Sequence, residues 1–249
     1  RCFMTISSLS DQNLHRISRD IRAYFVGLEK GEMYLEEAEF GLRQILPYID
    51  CLEDRSKVLE VGSGPSIMLS EITRRYPSLA IEGIEPMGHG FAFFEDFIAR
   101  QSGAHGGLAL HMGGYESFPL GKSFDFIFLV NVFEHLPDWR DFLRFAKQNL
   151  APNGKCVILC PNYGFPYESH FRIPVVFSKK LTEYAFRKKI VGFERCYDYE
   201  GLFRSLNFVK LSQVRVEAKN AGLELTVDTE IIHQMVKRLD TDPNFRERQ

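Results

Sequence analysis

VLEVGSGPS, residues 58–66, decides the fold: an apolar run broken by one carboxylate, Glu60, ends in Gly62-Ser63-Gly64 before Pro65 and Ser66 open a helix. A buried strand feeding a glycine turn and then a helix is the opening unit of an open α/β sheet, whose ligand sits at the strand ends. The glycines permit a tight turn and close approach of a ligand to the backbone, and the helix start adds a positive dipole end.

Outward from this stretch, short β-rich runs alternate with helical ones: strands over 57–61, 80–84, 108–112, 124–131 and 155–160, and helices over 66–76, 89–101 and 138–150. Such alternation predicts a parallel sheet covered on both faces. Helices are expected at 11–26 and 33–50 before it. After Pro161 the pattern predicts a basic helix near 175–190, a helix near 198–206, two late strands near 208–217 and 222–228, and a helix over 229–240. The short Asn220-Ala221-Gly222 connection favours an antiparallel hairpin for the two late strands.

Three details narrow the ligand. A dinucleotide fingerprint would place a third glycine where Ile67 stands, and Pro65 withdraws a backbone donor from any pyrophosphate. Glu60 would repel a diphosphate but hold an ammonium group. Together these disfavour NAD and favour a cationic, phosphate-free nucleoside. Glu85, at the end of the second strand in IEGIEP (81–86), stands where an acidic residue accepts hydrogen bonds from ribose hydroxyls.

On VLEVGSGP, GIEP, FDFIFLVNVFEHLPDW (124–139) and LAPNGKCVILCPN (150–162), the chain resembles the class I S-adenosylmethionine-dependent methyltransferases over residues 50–217, nearest to the small-molecule group that includes quinone-biosynthesis enzymes. The resemblance implies a Rossmann-like three-layer sandwich with a seven-stranded, mostly parallel sheet and an antiparallel last strand. It also implies S-adenosylmethionine as cofactor and S-adenosylhomocysteine as product. Glu60, Gly62, Ser63 and Gly64 would line the methionyl end, Glu85 and Pro86 the ribose, and Met87 the adenine, with Asn131 and Val132 beside the methionyl group. The family's acidic adenine contact falls on Gly114, so adenine recognition is expected from the Tyr115 backbone or Glu116.

Methyl transfer needs alignment, a dry site and, for a protonated acceptor, a base within hydrogen-bond reach. Two segments compete to supply it: His135 after the fourth strand, and PNYGFPYESHFRIP (161–174) after the fifth. In an extended chain Tyr163, Phe165 and Tyr167 would point one way to hold a substrate, and Glu168 and His170 the other. The alternatives are a helix-entry His135 bonded to backbone and a local structural Glu168–His170 pair. No metal is expected, because the histidines and cysteines show no ligand spacing. Residues 172–195 carry seven basic groups against two acidic, which suits a solvated helix face, a lid for an anionic acceptor or contact with anionic lipid.

The 249 residues divide on this reading into a helical cap (1–50), a methyltransferase domain (51–228, with a lid insert at about 161–197) and a C-terminal helix and tail (229–249). The cap and the insert are expected to roof the cofactor crevice. A net charge of −2 argues against a nucleic-acid partner. Five cysteines without a CxxC pair suit a reduced, cytoplasmic setting, and no apolar run approaches a membrane span. The rival readings are a non-catalytic relative keeping the fold as a binding or scaffold subunit, favoured by Gly114, and an NAD-dependent oxidoreductase.

Overall fold

A computed structural model describes residues 16–28, 30–86, 97–99, 108–197 and 199–241, in two compact units. The first runs through Val132 and takes up the chain again at Gln148–Leu159; the second holds Phe133–Lys147 and the chain from Cys160 onward.

The first unit begins with helices α1 (Arg19–Phe25) and α2 (Gly31–Ile49). It continues through β1 (Lys57–Val61), α3 (Ile67–Arg75), β2 (Ala80–Glu85), β3 (Ala109–Met112), β4 (Phe124–Val130) and β5 (Leu150–Leu159). The sheet is five-stranded in the order β3-β2-β1-β4-β5, and every pairing is parallel. Its strands are apolar without alternation: Val58–Val61 and Phe126–Leu129 are consecutively buried, as expected where both faces of a sheet are covered. The chain winds outward from β1 to β3, then returns to lay β4 on the other side of β1. The β1–β4 boundary is thus the switch point, where open α/β sheets bind ligands. Between Phe124 and Phe126 of β4 the partner register jumps from Leu150 to Lys155, so residues 151–154 loop out of the β5 ladder.

Leu35, Leu42, Ile45 and Ile49 on one face of α2, at helical spacing, pack with Leu69 and Ile72 of α3 into the core of this unit. Glu71 of α3 is fully buried, and it binds Arg74 and Arg75 and accepts the Ser18 N–H at 3.0 Å. Burial alone would raise its pKa, but these partners outweigh it and hold it below the usual carboxylate value.

The second unit contains α4 (Trp139–Asn149, whose last two residues count with the first unit) and the antiparallel pair β6 (Tyr167–Glu168) and β7 (Ile173–Pro174). It also contains α5 (Lys179–Tyr197, kinked at Phe186), α6 (Leu202–Ser205), α7 (Leu211–Asn220) and α8 (Glu230–Thr241). Its core gathers Tyr163, Phe171, Ile173, Ile190, Phe203 and Leu206, with Phe186, Phe193 and Phe208 against them.

The seven-stranded sheet and its closing hairpin are corrected here. Residues 208–217 are mostly the helix α7, and no strand forms over 222–228. Val214 and Ala218, four apart, are buried, while Val216, which would share a strand face with Val214, is 57% exposed. The stretch read as a hairpin turn is a helix C-cap. Gly222 takes φ +73, its N–H donates to Lys219 O, and the Leu223 N–H donates to Ala218 O, the paired bonds of a Schellman motif. The helix expected at 89–101 lies largely outside the described residues.

The helical assignment predicts unequal responses at two valines. Val214→Ala should cost about 2 kcal/mol in urea unfolding, and Val216→Ala no more than about 0.5 kcal/mol. Equal losses would restore the strand.

Candidate functional site

Two groups of candidate residues stand out, one in each unit. In the first, β1 delivers Glu60 to the sheet's ligand-binding edge, where it is 4% exposed. The chain then turns through Gly62 and Gly64, both at positive φ (+74 and +50), and through Ser66, also left-handed at +57. The turn is tied to β2, since the Gly62 and Ser63 N–H groups both donate to Ile84 O. A side chain at Gly62 would place its Cβ 2.4 Å from a methyl of Val132, so glycine is required there by contact as well as by φ. Ser63 is buried with its hydroxyl 3.3 Å from that of Ser66.

Glu85 ends β2, buried, and accepts the Gly64 N–H at 2.7 Å. A carboxylate has lone pairs enough for this bond and for hydroxyl donors besides. Pro86 after it is exposed, and Met87 lies outside the described residues. Glu60 Oε2 is buried without a hydrogen-bond partner. Burial first, and repulsion from Glu85 second, push the Glu60 carboxyl well above its ordinary pKa. A pair of buried carboxylates, one of them unsatisfied, beside a turn closed to bulky side chains fits a ligand bearing positive charge and fits a diphosphate poorly. At the end of β4, Asn131 is exposed at φ +54 with its N–H on Leu159 O, and Val132 packs over Gly62. After β3 a 3₁₀ turn (Tyr115–Ser117) buries the Tyr115 ring and leaves Glu116 exposed.

In the second unit, the 3₁₀ turn Phe133–His135 is clamped by Asn207, whose backbone N–H donates to Glu134 O at 2.7 Å and whose side-chain amide donates to Leu136 O. The chain just after Asn207 also holds the 161–174 segment, since the Tyr163 N–H donates to Val209 O and the Leu211 N–H to Asn162 Oδ1. Glu134, His135 and His170 each place a potential ligand atom within 4.8 Å of the other two, and the imidazole rings meet edge to face at 5.8 Å. Behind His170 stands Glu168, fully buried, receiving the His170 Nδ1 at 2.6 Å, the Phe171 N–H at 2.7 Å and the Tyr163 hydroxyl at 3.3 Å. Burial would raise its pKa, but the hydrogen bonds from His170 and Phe171 dominate and hold it low. Glu134 is its opposite: both carboxylate oxygens are buried without a partner, and burial pushes its pKa to about 7. Burial, aided by repulsion from His170, lowers His135 to about 4.

The structure thus brings His135, Glu168 and His170 together, from segments that sequence reading kept as competitors, and adds Glu134, Ser205 and Asn207. Ser205 accepts from the His135 ring and Asn207 braces the turn. Neither has a sequence signature, because both act through folding of a distant segment onto 134–136. The extended arrangement expected for 163–170 is corrected. Asn162 Oδ1 accepts the Gly164 N–H and its carbonyl accepts the Phe165 N–H, turning the chain. Tyr163 therefore points inward beside Glu168 and stacks on Phe208 at 4.4 Å, Phe165 is 70% exposed, and Tyr167 is half-buried.

The profile of the methyltransferase-domain family matches residues 34–227. An uncharacterised protein of Mycobacterium tuberculosis, found in two strains, is 36% identical over 215 residues, which is 84% of this chain and 71% of that protein. Among solved structures, phosphoethanolamine N-methyltransferase 2 of Haemonchus contortus bound to S-adenosyl-L-methionine superposes with TM-score 0.55 at 16% identity, over 82% of this chain and 43% of that one. The cyclopropane synthase of Mycobacterium tuberculosis gives 0.54 at 17%, over 78% and 63%. These two likenesses concern the fold, and the sequence profile carries the family. With a parallel sheet, a glycine turn at its switch point and a profile match across more than three quarters of its length, the chain belongs to the class I S-adenosylmethionine-dependent methyltransferases.

Proposed function

We propose that the chain moves the methyl group of S-adenosylmethionine to a small-molecule or lipid-like acceptor. Glu60 would meet the cationic methionyl end, Glu85 the ribose hydroxyls, and the Gly62–Gly64 turn would allow close approach. Asn131 and Val132 would border the methionyl group, Tyr115 and Glu116 the adenine. When bound, the cofactor supplies an electrophilic methyl on a sulfonium, and transfer leaves a neutral thioether. The observation that carries this reading is the buried, unpartnered Glu60 Oε2 beside a second buried carboxylate. An isolated arrangement of that kind costs stability, and a net cationic ligand offsets the cost.

The acceptor's proton, where it has one, would be taken at the imidazole–carboxylate cluster. Chain connectivity supports the assignment: Asn131-Val132 runs directly into Phe133-Glu134-His135. With Glu168 fixing Nδ1, His170 keeps Nε2 as its basic nitrogen, and Glu168 would stabilise the imidazolium that forms.

An anionic, lipid-like acceptor or a lipid surface is supported by α5 and its entry. Phe177 (95% exposed), Leu181 and Tyr184 (84% exposed) stand among the exposed cations Lys180, Arg187 and Lys188. Of the seven basic groups in this stretch, Lys179 and Lys189 are engaged with backbone carbonyls of Arg204, Leu206 and Arg172. Among the described residues no helix is long and apolar enough to cross a membrane.

Three measurements follow. In calorimetric titration with S-adenosylhomocysteine, Glu85→Ala should weaken binding at least about tenfold, the loss of one charge-assisted hydrogen bond or more; unchanged affinity removes Glu85 from the site. Glu60→Gln should also weaken binding, yet stabilise the free protein. Because the folded-state pKa of Glu60 is raised, its stability contribution is full below its unfolded value of about 4.3 and is lost as pH rises through the folded value. The variant's advantage in thermal midpoint should therefore grow from acid to alkaline pH. A constant difference would mean Glu60 is ordinarily ionised. Finally, vesicles of phosphatidylserine, and not of phosphatidylcholine, should sediment the protein, with loss at high salt. Equal binding to both would remove the charge argument.

A further inference from the structure

We propose that Glu134, His135 and His170 form a binding site for one divalent transition-metal ion. The first ground is the donor set. Two imidazoles and one carboxylate, with the donor atoms within 4.8 Å of one another, make a nitrogen-rich site. Such a set suits borderline ions such as Zn2+, Ni2+ or Co2+ better than Mg2+ or Ca2+, which prefer all-oxygen ligands. Donors at about 2.1 Å from one tetrahedral ion lie about 3.4 Å apart, so the widest pair must close by up to about 1.4 Å.

The second ground is independent of proximity. Glu134 is fully buried, and neither of its oxygens has a hydrogen-bond partner, although the groups around the other buried glutamate of this unit, Glu168, satisfy that one. A buried carboxylate with no donor is costly, and a cation is the ligand that relieves it.

The third ground is the orientation of the imidazoles. Ser205 donates its hydroxyl hydrogen to Leu202 O at 2.8 Å, so its oxygen is the acceptor toward His135 Nδ1, also at 2.8 Å. His135 therefore carries its proton on Nδ1 and its lone pair on Nε2. Glu168 also accepts the Phe171 N–H and the Tyr163 hydroxyl, so it is the acceptor toward His170 Nδ1 at 2.6 Å and favours the same tautomer there. A carboxylate or hydroxyl behind one ring nitrogen, with the other nitrogen as ligand, is how metal-bound histidines are ordinarily supported. Glu168 and Ser205 are accordingly positioning residues, and three protein ligands leave open places on the ion for a substrate oxygen.

Sequence spacing could not reveal this set, since 35 residues separate His135 from His170. The site's existence does not depend on the transfer reaction proposed above. If that reaction uses it, a bound ion makes His170 a ligand and polarises the acceptor in place of a bare imidazole base.

The test is metal binding by the full chain, stripped with chelator and titrated with Zn2+ calorimetrically and with Co2+ by visible absorption. One ion per chain is expected, with ligand-field bands of nitrogen and oxygen coordination and no thiolate charge-transfer band from the cysteines. Affinity should fall at least tenfold in His170→Ala and in Glu134→Gln, and tenfold to a hundredfold in Glu168→Gln. Absence of stoichiometric binding to wild type, or a thiolate spectrum, overturns the proposal without reference to any variant. So does affinity unchanged in His170→Ala. S-adenosylhomocysteine binding, measured in parallel, reports on the methyltransferase reading alone, so either reading can fail while the other stands.

Discussion

Burial of two carboxylates at the ends of neighbouring strands, each raising the cost of charge on the other, is the constraint on which the glycine turn of the first unit depends. Glu60 closes its position in β1 and Glu85 ends β2, and the parallel register that sets Val61 beside Ile84 brings these strand ends together. The sheet cannot relax the conflict without giving up its ladder. One partial resolution is visible, the Gly64 N–H on Glu85, and it is also what draws the glycine turn against β2. The other carboxylate keeps one oxygen, Glu60 Oε2, without a partner. The geometry of the turn and the electrostatic vacancy beside it therefore have a common origin, in two glutamates where an ordinary sheet would place apolar or exposed residues.

Besides Glu85, four fully or nearly buried glutamates among the described residues fall into two kinds. Glu71 and Glu168 are surrounded by donors, and their pKa values lie below normal in spite of burial. Glu71 joins α3 to the residues before α1, and Glu168 organises the 163–171 turn and holds His170 by its Nδ1. Glu60 has one oxygen, and Glu134 both, without a partner, and their pKa values lie above normal because of burial. A fold retains such groups at a cost when a ligand completes them. That one of this second kind occurs in each unit is the physical basis for assigning a binding role to both.

The α/β class, the five parallel strands and the helix that precedes them were legible because parallel strands buried on both faces read as continuous apolar runs, and because Gly62-Ser63-Gly64, weak evidence alone, stands with Glu60 and Glu85 at the strand ends. The last two strands were misread because FVKLSQVRVEA satisfies both a period of two and a period near four. Only burial of Val214 and Ala218 with exposure of Val216 separates them. Asn162-Tyr163-Gly164 contained a turn signal that the flanking prolines obscured, and with it the side on which Tyr163 would fall. His135, Glu168 and His170 stood out by residue type. Glu134 did not, since nothing in a linear sequence links a carboxylate at 134 to an imidazole at 170.

The loop of residues 151–154 out of β5 bears on how copies of the chain avoid one another. β5 is the last strand of the described sheet, and an unpaired rim of backbone amides invites a neighbouring molecule to continue the ladder. Here the rim begins with an excursion containing Pro152, which lacks a donor, and Asn153 in the left-handed region, followed by the exposed Lys155. Among the described residues no strand pairs with the far side of β5, and the interruption spoils that rim as a template at its starting end, a local irregularity of the kind that discourages edge-to-edge pairing.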